Sequence, residues 1–270
     1  MGALTLNHVN AMPAATWHQL HMNETTVDVP EGLEAAHSVV VEADEALLGP
    51  QDAFDAAVAA AQAELDAANA KAAPDARAIL QATAQLVKEG KDIHVEIEIP
   101  LVIDAKEVEI LRAEIDSVAQ AVMAEQGIEI PYKVGAMLEL PRACLTIDEI
   151  AEHCDFFTFG TNDLTQTTLG FSRDDAEGKF MPIYLEHKIL KDNPFAVLDR
   201  KAVGKLVEYA VKNGSAVNDK LTWGICGEHG GEPSSVEFCH EAGLTFVSCS
   251  PYRVPIARVA AAQAQIKNPR

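Results

Sequence analysis

From residue 92 onward the chain repeats one pattern five times: a short β-branched or aromatic run, a turn, then an amphipathic stretch long enough for a helix. The runs are IHVEIEIPLV at 93–102, KVGAMLEL at 133–140, DFFTFG at 155–160, LTWGIC at 221–226 and TFVSC at 245–249. Between and after them, helical spacing of apolar residues predicts helices over 107–123, 147–153, 200–213, 233–242 and 254–265, with an irregular stretch at about 171–195. Successive strands separated by helices must run parallel, because only a crossover returns the chain to the same edge. The fold class is therefore α/β. The order suits a (β/α) barrel or an open doubly wound sheet. A closed barrel takes eight such units, and five are legible.

The first ninety residues differ in kind. They hold three Lys and Arg against thirteen Asp and Glu, half of the net charge of −20, and they are rich in Ala. Residues 1–37 have no sustained period and read as a loosely ordered arm, and 38–42 as a short strand. Within a helical hairpin at 38–90, Phe54, Val58, Ala61, Leu65 and Ala68 form one apolar stripe over 51–71. Pro74 opens a second helix whose buried face is Ile79, Leu80, Thr83, Leu86 and Val87, and Gly90 stops it. The remaining 91–270 form the α/β part. A pI near 4.7 argues against a nucleic-acid surface or an anionic-membrane patch. No run of about 18 apolar residues and no signal-peptide pattern is visible, and five cysteines do not make a disulfide scaffold, so a cytoplasmic chain is expected.

In a parallel β/α layout the loops after the strands gather on one face, and sites form there. Glu139 ends one strand, Thr161-Asn162-Asp163 follow the next, and Cys226 ends the one after. Glu139 and Asp163 could hold a Mg²⁺ ion through hard oxygens, or serve as capping and salt-bridge residues. Cys226 lies in Gly224-Ile225-Cys226-Gly227-Glu228-His229, where glycines admit a close ligand and Glu228 and His229 offer titratable neighbours to a thiol. Cys144, Cys154, Cys239 and Cys249 read as buried and inert. His153-Cys154 and Cys239-His240 lack the second pair that structural zinc requires, and 227–231 lacks a phosphate-loop pattern.

Three segments carry a resemblance: GAMLELPRACLTIDEIAEHCDFFTFGTNDLTQTTLGFSRDD (135–175), WGICGEHGGEPSSVEFCHEAGLTFVSCSPYRVPIARVAAAQA (223–264) and IEIPLV (97–102). Over about 92–265 the chain closely resembles the C-terminal part of the pyruvate, phosphate dikinase family. The resemblance implies a phosphoenolpyruvate/pyruvate-binding TIM-type barrel, here incomplete, and homodimerisation through it. It implies that Glu139 and Asp163 are Mg²⁺ ligands, that Gly160, Thr161 and Asn162 contact phosphoenolpyruvate, and that Cys226 is the acid/base at the methyl carbon of pyruvate. The Ala-rich 54–87 resembles instead a helical stretch of enzyme I of the sugar phosphotransferase system, although a generic hairpin covering sheet edges accounts for the same residues.

The departures shape the functional expectation. None of the nine histidines stands in a Thr-Ser-His context, no nucleotide domain is recognisable, and the early barrel strands with their anion-binding arginines have no counterpart. Phosphohistidine and ATP-grasp domains would then act in trans. Three readings follow: a dikinase-type phosphotransferase chain supplying the phosphoenolpyruvate half-site, a binding or dimerisation module without turnover, and an enzyme I-like phosphotransferase or Mg²⁺-enolate C–C lyase. These 270 residues by themselves are expected not to convert ATP, pyruvate and phosphate to AMP, phosphoenolpyruvate and diphosphate, because none would carry the phosphoryl group between nucleotide and pyruvate. Turnover by the pure chain, measured with contaminating enzyme excluded, would sink that expectation.

Overall fold

The computed structural model describes residues 75–270. The arm at 1–37, the strand at 38–42 and the helix at 51–71 lie outside the described residues. The chain divides into two compact units, Met1–Leu101 with Ile110–Tyr132, and Val102–Glu109 with Lys133–Arg270. Among the described residues no helix is long and apolar enough to cross a membrane.

In the first unit, residues 75–88 are helical (α1) and Val95–Ile99 is a strand (β1). Most of helix α2, Ala105–Gln126, belongs here as well. Ala76, Leu80, Thr83 and Ala84 are the buried face of α1, a stripe rotated slightly from the expected one, with Ile79, Leu86 and Val87 half-buried at its border. From α2 come Ile115, Ala119 and Val122, three and four residues apart as one helical face requires. Arg77 reaches Glu125 at 2.6 Å, an exposed pair that adds about 1 kcal/mol at most. The expected stop is present: after α1, the Gly90 N–H donates to the Val87 carbonyl and the Lys91 N–H to that of Leu86.

The second unit is a parallel strand–helix array. Strands β2 (Tyr132–Leu138), β3 (Phe156–Gly160), β4 (Thr222–Cys226) and β5 (Phe246–Val247) pair in chain order, all parallel. With β1 they make five strands alternating with helices, so the α/β expectation holds. The central strand β3, FFTFG, is buried at every residue, as a parallel strand covered on both faces must be. Phe157 stacks on Trp223 of β4 with ring centroids 5.0 Å apart. Helix α3 (Pro141–Leu145) and α4 (Ile147–Ile150) connect β2 to β3. Four helices lie between β3 and β4: α5 (Thr161–Leu169), α6 (Arg173–Lys179), α7 (Met181–Glu186) and α8 (Val203–Val217). After β4 come α9 (Pro233–Glu241), β5 and α10 (Val254–Lys267).

Three local expectations need correction. Pro141 closes β2 but also opens α3, since proline at the first helical position sacrifices no needed N–H. The stretch at 171–195 is not irregular throughout: the Ser172 hydroxyl caps α6 by accepting the Asp175 N–H, and Phe171, Phe180 and Phe195 pack around Ala176 and Met181. Helices of seven and six residues are too short to show a period. The last strand shrinks from five expected residues to two.

Helix α9 begins on an unusual cap. The Glu232 carboxylate accepts the N–H groups of Ser234 and Ser235 and both of their hydroxyls. Burial alone would raise its pKa, but the bonds from Ser235 and Ser234 outweigh it and the net direction is down. A carboxyl depressed in the folded state stabilises above its unfolded pKa, and that contribution is lost as pH falls through the folded value. Glu232→Gln is therefore expected to cost about 1–2 kcal/mol near neutral pH. The gap from wild type should narrow below about pH 4, and urea unfolding across pH 3–7 measures both effects.

Candidate active site

The register of the parallel ladder brings three strand ends together. Leu138 stands opposite Phe159, and Gly160 opposite Cys226. Glu139, the first residue beyond β2, is only 2% exposed although it is a carboxylate. Its side chain lies directly on Gly160: a Cβ there would sit 2.5 Å from the Glu139 Cγ and 2.6 Å from its Oε2. Only glycine leaves that space. The Thr167 hydroxyl of α5 lies between the Asp163 carbonyl at 2.8 Å and the Glu139 carbonyl at 3.1 Å, against the turn after β2.

Thr161, Asn162 and Asp163, expected in a loop, are instead the first turn of α5, with Gly160 at the N-cap. The helix start aims backbone N–H groups and a positive dipole end back at the strand termini. Asp163 Oδ1 accepts from Gln166 Nε2 at 3.1 Å, and Gln166 Oε1 accepts the Arg173 N–H at 2.9 Å. The Asn162 amide abuts Gly227, whose φ of +94° suits glycine and whose added Cβ would lie 3.0 Å from Asn162 Oδ1. The Thr161 oxygen is 3.1 Å from the Cys226 carbonyl. Cys226, half-buried, donates its thiol hydrogen to the Phe159 carbonyl at 3.6 Å. All six residues singled out in the sequence thus meet at the carboxyl ends of β2, β3 and β4.

The two neighbours expected to act on the thiol bond elsewhere. Glu228 pairs with Arg173 at 2.8 Å, and His229 bonds to Thr161 and to the Pro194 carbonyl. Arg173 also reaches Glu177 at 3.3 Å and lies over the Phe195 ring. Its pKa is raised, first by the Glu228 hydrogen bond. Gln166 and Arg173 were not among the sequence candidates. Gln166 is three residues beyond Asp163, a spacing that marks it once 161–169 is read as a helix. Glu139 and Asp163 are the hard oxygen donors at this strand end. Among the described residues no group of three or more His, Cys, Asp or Glu gathers to hold a metal, so an ion here would draw further oxygens from water or substrate.

The strand ends of this parallel α/β array thus carry two carboxylates, a helix start and a thiol. The chain belongs to the family described as PEP-utilising enzyme, PEP-binding domain (PEP, phosphoenolpyruvate), which matches residues 61–266. It is 55% identical over 193 residues to pyruvate, phosphate dikinase of Clostridium symbiosum, covering 71% of this chain and 22% of that protein. The dikinase of Entamoeba histolytica is 53% identical over 195 residues, covering 72% and 22%. This chain thus spans about a fifth of the length of the curated relatives it matches. A citrate lyase structure from Burkholderia xenovorans superposes with a TM-score of 0.46 at 18% identity, covering 70% of this chain and 53% of that one.

The environments of the cysteines rank their reactivity. Burial pushes the thiols of Cys144 and Cys239 up to about 12, and raises that of half-buried Cys249. Cys154 is buried. Under limiting iodoacetamide near pH 8, Cys226 is expected to label first, as peptide mass spectrometry will read. Earlier labelling of Cys239 or Cys249 would contradict it.

Proposed function

We propose that this chain supplies the phosphoenolpyruvate/pyruvate half-site of a pyruvate, phosphate dikinase reaction, the conversion of ATP, pyruvate and phosphate to AMP, phosphoenolpyruvate and diphosphate. The observation that carries the reading is the meeting of Glu139, Asp163 and Cys226 around Gly160 and the start of α5. Glu139 and Asp163 fit a Mg²⁺ ion, since such an ion takes one or two carboxylates and completes its shell with water and substrate oxygens. The cradle at Gly160 leaves room for the buried Glu139 carboxylate. When bound, the ion supplies charge stabilisation for an enolate oxygen.

This chain's own residues do the rest. The N–H groups at the N-cap Gly160 and at Thr161 and Asn162 of the first turn of α5 orient the anion and set its three-carbon frame against β4. Cys226 moves one proton: as thiolate it takes a hydrogen from the pyruvate methyl group and leaves the enolate, and as thiol it returns it. The phosphoryl group itself arrives on a histidine of another domain, in trans or elsewhere in the protein, and the barrel portion pairs as a homodimer in the cytoplasm. A module that binds without turnover is a second reading. Arg173 favours its dimerisation form, because a guanidinium shared by Glu228 and Glu177 has less charge left to hold an incoming anion.

Proton exchange separates the two. With Mg²⁺ in D₂O, the chain is expected to exchange deuterium into the pyruvate methyl group, followed by proton NMR. Cys226→Ala should lower the exchange by about 100-fold or more while calorimetry shows Mg²⁺ binding retained. Asp163→Ala should reduce both. Exchange that survives Cys226→Ala removes the thiol from the mechanism, and no exchange with intact binding leaves the module.

A further inference from the structure

Among the described residues His229 is the one fully buried titratable ring beside this site, and the proton transfer above does not use it. Both of its nitrogens are engaged. Nε2 lies 2.9 Å from the Pro194 carbonyl and Nδ1 lies 2.7 Å from the Thr161 hydroxyl. The Pro194 carbonyl can only accept, so Nε2 carries a hydrogen. Burial lowers the ring's pKa; the Pro194 carbonyl and the charges of Glu228 and Glu232 oppose this, the charge of Arg173 adds to it, and the net direction is down. The ring is therefore neutral near pH 7, and Nδ1 presents a lone pair.

That lone pair decides where a single proton points. The Thr161 hydroxyl has one hydrogen and two acceptors in reach, His229 Nδ1 at 2.7 Å and the Cys226 carbonyl at 3.1 Å. The shorter contact to a nitrogen lone pair wins, so the hydroxyl turns to the ring. The His229 end of the turn that follows Cys226 is then bonded to the Thr161 hydroxyl at the start of α5, while the far side of the ring holds the segment at Pro194.

We infer that His229 is a positioning residue: its imidazole sets the direction of the Thr161 hydroxyl and holds the turn from Cys226 closed on the start of α5. It touches no reacting atom and acts through Thr161. The inference rests on reading Cys226 and Thr161 as parts of the site, and it deepens that reading. It gives a histidine at this position a task that a merely space-filling residue could not perform, since an aliphatic side chain offers neither the donor for Pro194 nor the acceptor for Thr161.

The test follows the rate of Cys226 alkylation by iodoacetamide in the full 270-residue chain, a readout that needs no pyruvate chemistry. His229→Leu removes both the ring donor and the ring acceptor, Thr161→Val removes the hydroxyl and Thr161→Ser keeps it. Each of the first two is expected to speed labelling about three- to tenfold, the equilibrium worth of one hydrogen bond, while Thr161→Ser stays at the wild-type rate. The double variant His229→Leu/Thr161→Val should label no faster than His229→Leu alone, because the ring and the hydroxyl share one bond. In the unaltered chain, ¹⁵N NMR should find Nε2 protonated and Nδ1 bare, with the Nδ1 resonance moved by Thr161→Val and left in place by Thr161→Ser. If His229→Leu does not fold, this tautomer and its response to Thr161→Val decide alone. Effects that multiply in the double variant, an unchanged labelling rate, or a proton on Nδ1 would overturn the inference. Loss of deuterium exchange with the ring–hydroxyl coupling intact would instead count against the role of Cys226 and leave His229 where it stands.

Discussion

The missing side chain at position 160 is the constraint on which the site depends. With a Cβ there, the Glu139 carboxylate would have nowhere to lie, because the added carbon would overlap both its Cγ and its Oε2. Without one, a carboxylate can be buried at a strand end, directly beside the N-terminus of α5. The same residue ends β3, caps α5 and stands opposite Cys226 in the ladder. One glycine therefore sets the distance between a buried acid, a helix start and a thiol.

The surrounding contacts serve to keep those three from drifting. The Thr167 hydroxyl sits between the carbonyls of Asp163 and Glu139, and Gln166 holds Asp163 while receiving the Arg173 N–H. Arg173 in turn holds Glu228, two residues past Cys226. Helix α6, which begins at Arg173, is thus linked through side chains both to the acid on α5 and to the turn beyond β4. The Phe157–Trp223 stack fixes β3 against β4 from within the core, so the polar linkages act on a ladder that is already rigid.

Membership of the phosphoenolpyruvate-binding family and the geometry of the site support one another without being the same statement. The family covers residues 61–266, whereas the dikinases extend far beyond the length matched here. The chemistry argued for this chain needs only what its own strand ends hold: two hard oxygens, a helix start and one thiol. Among the described residues the turn beyond β4 is met by Arg173, shared by Glu228 and Glu177, and by Arg253, which donates to the Glu228 carbonyl. Both guanidinium groups are engaged by this chain, and the proposal stands on proton exchange rather than on phosphoryl transfer.

Much of this was legible in the residues themselves. A continuous apolar run such as FFTFG marks a strand covered on both faces, and a helical stripe such as the one on α2 marks a buried face by its period of 3.6. That was enough to place Glu139, Gly160, Asp163 and Cys226 at strand ends. It could not show that 161–163 begin a helix, because a glycine N-cap and a polar first turn look like a loop. Nor could it find α6 and α7, which are shorter than two full turns. Partner choice was beyond it altogether. His229 was read as a neighbour of the thiol three residues away, and it bonds instead to Thr161 and Pro194, 68 and 35 residues distant. Glu228 likewise chose Arg173, 55 residues away. The sequence alone determined the alternation of strands and helices and the chemical character of the strand ends, because periodicity and residue type are local. Only the tertiary structure decided which polar groups meet, because a hydrogen bond is satisfied by whatever the fold brings within 3 Å or so.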